Sequence, residues 1–136
     1  MKHLHLDFET YSAADLPNCG LDNYATHPST GAHCLAFAFG DEATDIVTNN
    51  TLPERVAEHI KTGGTVVAHN AAFEWAIWNQ VCVPRYGWPS LRVEQMRCTM
   101  VQAYAMGLPR ALANAAAAVG IEQRKDSAGA RVTMQL

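Results

Sequence analysis

No run of this 136-residue chain is apolar for long enough to cross a bilayer, so no membrane partner is expected. Lys2, His3 and Asp7 interrupt the N-terminal stretch, which predicts no secretory leader and a cytoplasmic setting. Basic residues are not in excess: 10 Lys and Arg stand against 13 Asp and Glu, for a net charge of −3. A surface that gripped polyanions through phosphate contacts alone would carry the opposite balance, so any such grip has to be local or metal-mediated. The cysteines, Cys19, Cys34, Cys82 and Cys98, include no C-x-x-C pair. That spacing argues against a disulfide frame or a zinc site, and for free thiols in a reducing compartment. Internal repeats, low-complexity tracts and interdomain linkers are also missing.

What is present is enough chain for one domain, residues 1–136, with 49% hydrophobic residues to build a core without cross-links. Its most informative stretch is His5-Leu6-Asp7-Phe8-Glu9-Thr10. Leu4, Leu6 and Phe8 alternate with His3, His5, Asp7 and Glu9, the period of a strand. Asp7 and Glu9 therefore share a face, less than ~7 Å apart along the strand. Two like charges so placed repel unless a cation lies between them, and hard carboxylate oxygens suit Mg²⁺ or Mn²⁺. The alternative is a pair of carboxylates that simply face water on an edge strand.

Downstream, Tyr11 to Gly31 is rich in turn formers and should wrap across the surface with Leu16, Leu21 and Tyr24 tucked inward. Cys34 to Phe39, Gly40-Asp41-Glu42 and Thr44 to Thr48 read as a β-hairpin, giving three antiparallel strands with the first. Thr51-Leu52-Pro53-Glu54 reads as a capping box opening a helix that Gly63-Gly64 ends. Thr65 to Ala68 reads as a buried strand parallel to the first. Asn70 is placed to cap the next helix, whose apolar face is Phe73, Ala76, Ile77 and Val81. Glu74, in that helix's first turn, either serves the helix dipole or brings a third carboxylate toward Asp7 and Glu9. Pro84 to Pro89 is predicted as a loop and Val93 to Met106 as a helix, broken at Gly107-Leu108-Pro109. Leu112 to Val119 is predicted as an Ala-rich helix able to pack closely on the sheet.

Asp7-Phe8-Glu9 followed by Asn70-Ala71-Ala72-Phe73-Glu74 resembles the first two motifs of the DEDD (DnaQ-like) 3′–5′ exonucleases, with Glu74 where Asp is commoner. Leu6 to Ser12, Asp15-Leu16, Tyr24 to Thr30, Gly107-Leu108-Pro109 and Lys125-Asp126 are similar to the exonuclease region of phage-type, family A-like DNA polymerases. The resemblance implies an α/β fold: a ribonuclease-H-like mixed sheet, three antiparallel strands plus a parallel one, flanked by helices. It implies two divalent cations, Mg²⁺ or Mn²⁺, held by Asp7, Glu9 and Glu74, which would be both the metal ligands and the catalytic residues. Thr10, Asn70 and Phe73 would lie against the substrate, a single-stranded DNA 3′ end, with a polymerase domain or subunit as partner.

The family's third motif has no match. It supplies a fourth carboxylate on a C-terminal helix, whereas Asp126 is the last Asp here, and Ile121 and Glu122 stand where His or Tyr is needed. The C-terminal part of the fold is therefore expected to be missing, through fragmentation or natural truncation. The alternative to an exonuclease is then a catalytically incomplete module of the same fold that binds nucleic acid or docks to a polymerase. Apolar sheet left uncovered would favour a homo-oligomer. Trp75 and Trp78 read as packing rather than base-stacking residues, and His5, His69 and Cys98-Thr99 as structural.

Overall fold

The computed structural model describes residues 2–123. Its frame is one five-stranded sheet, ordered β3-β2-β1-β4-β5, with helices packed against it. Strand β1 (Leu4–Tyr11) takes the period-two pattern, with Leu4, Leu6 and Phe8 buried and His5, Asp7 and Glu9 exposed. Two short helices follow, α1 (Leu16–Cys19) and α2 (Leu21–Thr26), with Tyr24 buried and Leu16 and Leu21 packed against the core. Strands β2 (Gly31–Phe39) and β3 (Asp45–Val47) form the antiparallel hairpin, with β2 also antiparallel to β1.

Helix α3 (Glu54–Lys61) buries Val56, His59 and Ile60. The capping box does not form: Pro53, extended at φ −57° and ψ 139°, is itself the N-cap, and no side chain caps the helix. Pro53 instead offers its carbonyl to the amides of Val56 and Ala57. After Gly63, in the left-handed region at φ +81°, β4 (Val66–Ala68) enters parallel to β1. Helix α4 (Ala71–Ile77) continues through a π-helical turn, Trp78–Cys82, into α5 (Val83–Tyr86). The predicted loop at Pro84 is thus partly helical, because a proline in the first turn lacks only an amide that the helix would leave unpaired.

The predicted helix from Val93 to Met106 divides into three elements. A 3₁₀ turn at Val93–Gln95 leads into β5 (Met96–Cys98), and α6 (Thr99–Ala105) follows. Strand β5 is parallel to β4, pairing Met96 with Val66 and Cys98 with Ala68. The buried Gln95 amide fixes its start by donating to the carbonyls of Ile60 and Gly64, at 3.2 and 3.0 Å. Three residues are too few to show a period of two, so tertiary pairing alone makes this strand. The sheet consequently has a fifth member beyond the four strands predicted.

The last described helix, α7 (Leu112–Ala118), buries no residue, contrary to close packing on the sheet. Alanine side chains offer too little apolar area to hold so short a helix there. Leu112, Val119 and Ile121 stay exposed, as do Val101, Tyr104 and Met106 on and just after α6. Lys125-Asp126 and the final residues lie outside the described residues. All four cysteines are free thiols. No helix among the described residues is long and apolar enough to cross a membrane.

The core centres on Trp78, fully buried between Phe8 and Trp88, with ring centroids 6.4 and 4.8 Å away. Its indole N–H donates to the Pro89 carbonyl at 2.7 Å. Both tryptophans of this helix are packing residues, since Trp75 also donates its indole N–H to Leu91 O at 2.9 Å. Trp78→Ala should cost about 3–5 kcal/mol of unfolding free energy in a denaturant titration, from lost burial and the cavity left behind. A loss below about 1 kcal/mol would remove Trp78 from its central place.

Candidate metal-dependent site on strand β1

Strand β4 pairs with β1 only at Leu4 and His5, so from Leu6 onward β1 is paired by β2 alone. The chain leaves β4 through His69 and Asn70 and turns into α4 beside this open edge. Asn70 makes the turn in the left-handed region, at φ +72°, ψ 59°. Its side chain caps nothing, which corrects the expected N-cap. Asn tolerates this conformation better than most residues, and that is its structural use here. His69 braces the junction through the Thr99 hydroxyl, 2.9 Å from Nδ1, and through the Arg110 carbonyl at Nε2.

One turn into α4, Glu74 reaches the edge that β4 has vacated. Its Oε1 accepts the Phe8 amide at a long 3.4 Å. Oε2 is buried with no hydrogen-bond partner, and the residue as a whole is only 3% exposed. Burial pushes this carboxyl up to about 7, the neighbouring Asp7 charge adds to the rise, and the Phe8 amide pulls the other way. An ionised carboxylate in such a place lacks the compensation that buried charge needs. A divalent cation would supply it, and carboxylate oxygens are the right donors.

Asp7 and Glu9 lie on the exposed face of β1, opposite Ala36 and Cys34 of β2. Both charges are felt at Cys34, whose thiol is raised first by burial, then by Glu9 and to a lesser degree by Asp7. The structure therefore joins Asp7 to Glu9 along the strand and Asp7 to Glu74 across its edge. It does not gather all three: among the described residues, no group of three or more His, Cys, Asp or Glu could hold a metal ion as the side chains stand. The donors fit a hard cation in kind.

The other candidates flank this edge. Thr10 turns its hydroxyl to Tyr24 Oη, 2.8 Å away, and Phe73 packs its ring 6.2 Å from Tyr24. Asn70 is exposed and His5 is exposed on the Asp7 face. Cys98 is half-buried at the end of β5, where its sulfur accepts the Ala71 amide at 3.3 Å. Sequence reasoning passed over Tyr11, although it continues the alternation of Asp7 and Glu9 and is 44% exposed.

The titration of Glu74 has a measurable sign. A carboxyl raised from 4.5 to about 7 contributes its full stability below 4.5 and loses it as pH rises through about 7. In EDTA, the chain should therefore lose stability against the Glu74→Gln variant between about pH 5 and 8, by on the order of 3 kcal/mol. Parallel stability curves for the two proteins in denaturant titrations over that range would refute the burial of an ionisable Glu74.

No family model matches the chain. Over 133 residues, 95% of its length, it is 33% identical to a DNA polymerase of Bacillus phage SP02. It spans 20% of that protein's length. The chain is thus related in sequence to one part of a phage DNA polymerase, and its mixed five-stranded sheet flanked by helices agrees with a ribonuclease-H-like fold.

Proposed function

We propose that the chain is a metal-dependent 3′–5′ exonuclease domain acting on DNA 3′ ends, the proofreading part of a phage-type DNA polymerase. One observation carries this reading: a buried carboxylate with an unpartnered oxygen, Glu74, is delivered to the open edge of β1 beside Asp7. A structural carboxylate would be expected to satisfy both oxygens. The similarity to a phage DNA polymerase supports the substrate class.

In this reading Asp7, Glu9 and Glu74 would hold two Mg²⁺ or Mn²⁺ ions. When bound, such a pair supplies Lewis acidity at both the attacking and the leaving oxygen of an in-line phosphodiester displacement. The chain's own residues provide the placement. β1 holds Asp7 and Glu9 on one exposed face at fixed spacing. The Phe8 amide orients Glu74, and the rings of Phe73 and Tyr24 pack beneath Thr10. In this reading, exposed Asn70 and half-buried Thr10 would meet the terminal nucleotide.

A second reading, a docking or nucleic-acid-binding module without turnover, is favoured by two observations. The three carboxylates are not gathered among the described residues, and Val101, Tyr104, Met106, Leu112, Val119 and Ile121 are exposed apolar side chains. Such side chains suit burial against a polymerase domain or a second copy of the chain.

Digestion of 5′-labelled single-stranded DNA separates the two. With Mg²⁺ or Mn²⁺ the exonuclease should give a ladder of shortened products that EDTA abolishes, and Asp7→Ala should slow it at least about a hundredfold. Intact substrate under all conditions, together with oligonucleotide binding or a dimer in sedimentation, would establish the module instead.

A further inference from the structure

The exposed face of β1 has a second feature, one step beyond Glu9. Residues opposite one another in an antiparallel pair share a face, so His5, Asp7, Glu9 and Tyr11 are flanked on β2 by Ala38, Ala36, Cys34 and Gly31. All four flanking residues are small. Together they leave a shallow lane along β1, beside the carboxylates.

At the end of that lane the register breaks. Glu9 pairs with Cys34 but Thr10 pairs with Ala32, so His33 is the extra residue of a β-bulge. The bulge sets the imidazole against the Tyr11 ring, with centroids 4.6 Å apart and planes at 51°. Gly31 also lies against the ring. A Cβ built there would lie 2.3 Å from the Tyr11 hydroxyl oxygen and 2.4 Å from Cζ, so the ring occupies the space that a side chain would fill. Tyr11 is nonetheless 44% exposed. An aromatic ring fixed by two neighbours yet open to solvent contributes little to the core. It does form a pre-organised stacking surface, for which little side-chain freedom remains to be lost on binding.

The geometry points to Tyr11, braced by His33 and seated on Gly31, as a stacking platform for a nucleobase of the single-stranded substrate, on the strand face that carries Asp7 and Glu9. This rests on the exonuclease reading for its substrate class. Tyr11 is two residues from Glu9, roughly 7 Å along the strand, so the stacked base belongs to a nucleotide next to the one at the carboxylates rather than to the scissile unit. Stacking on a ring face is indifferent to base identity, as a proofreading substrate requires. Tyr11 is thus a positioning residue, and its hydroxyl is not needed for the role.

The test uses the whole chain, Mg²⁺ and a fluorescein-labelled single-stranded DNA with cleavage-resistant phosphorothioate linkages. Versions carrying one abasic residue, moved stepwise from the 3′ end, are compared by anisotropy. The parent protein should bind the fully base-bearing DNA about tenfold more tightly than the version abasic at one internal position close to that end. Tyr11→Ala should erase this preference and Tyr11→Phe should keep it. Gly31→Ala, which leaves Tyr11 in place but pushes its ring aside, should weaken it. A preference that survives Tyr11→Ala, or that Tyr11→Phe abolishes, would overturn the platform. The exonuclease reading fails separately: a base preference sensitive to Tyr11 but no cleavage of ordinary DNA would leave the platform standing without the enzyme.

Discussion

The open edge of β1 is the constraint on which the rest of the structure depends. β4 accompanies β1 for only two residue pairs and then departs, and the β1 amides beyond that point need another partner. Glu74 takes the Phe8 amide, at the cost of burying a carboxyl whose burial pushes it up to about 7. Asn70 has to be left-handed so that the chain can turn into α4 quickly enough to bring Glu74 there. Trp78, further along the same helix, fixes the helix against Phe8 from the packed side of the sheet. One strand thus supplies core on one face, carboxylates on the other, and an edge at which a third carboxylate arrives.

That arrangement separates two tasks that often conflict. Leu4, Leu6 and Phe8 hold β1 rigidly in the core, so Asp7 and Glu9 sit on a backbone with little freedom to move. Side chains on a strand hold their spacing better than side chains on loops, which would suit the cation binding proposed for this site. The bulge at His33 uses the same rigidity differently. It breaks the ladder at one point and re-aims a ring without loosening the strand beneath it.

Much of this was legible because the signals were local. The alternation from Leu4 to Glu9 gave β1 and the shared face of its two carboxylates. The Gly40 turn gave the hairpin, and the two glycines after Thr62 gave the end of α3. Where the reading missed, the deciding partner was distant in sequence. Met96–Cys98 is a strand because Val66–Ala68 lies beside it, and Gln95 is held by carbonyls more than thirty residues away. The capping box at Thr51 failed because the extended Pro53 took the cap position. Asn70 looked like a cap from its type, but the backbone needed its tolerance of positive φ instead.

The sequence by itself determined the strand period, the chemical kind of the site and the order in which its carboxylates appear along the chain. Residue type and spacing suffice for that, since side-chain direction on a strand follows from covalent geometry. Only the tertiary structure decided that Glu74 is buried beside Asp7 with one oxygen unpartnered, that the three carboxylates do not form one metal-holding group among the described residues, and that Tyr11 lies against His33 and Gly31. Each of these depends on where two segments meet, and such meetings are set by the pairing of the whole sheet and the packing of helices upon it.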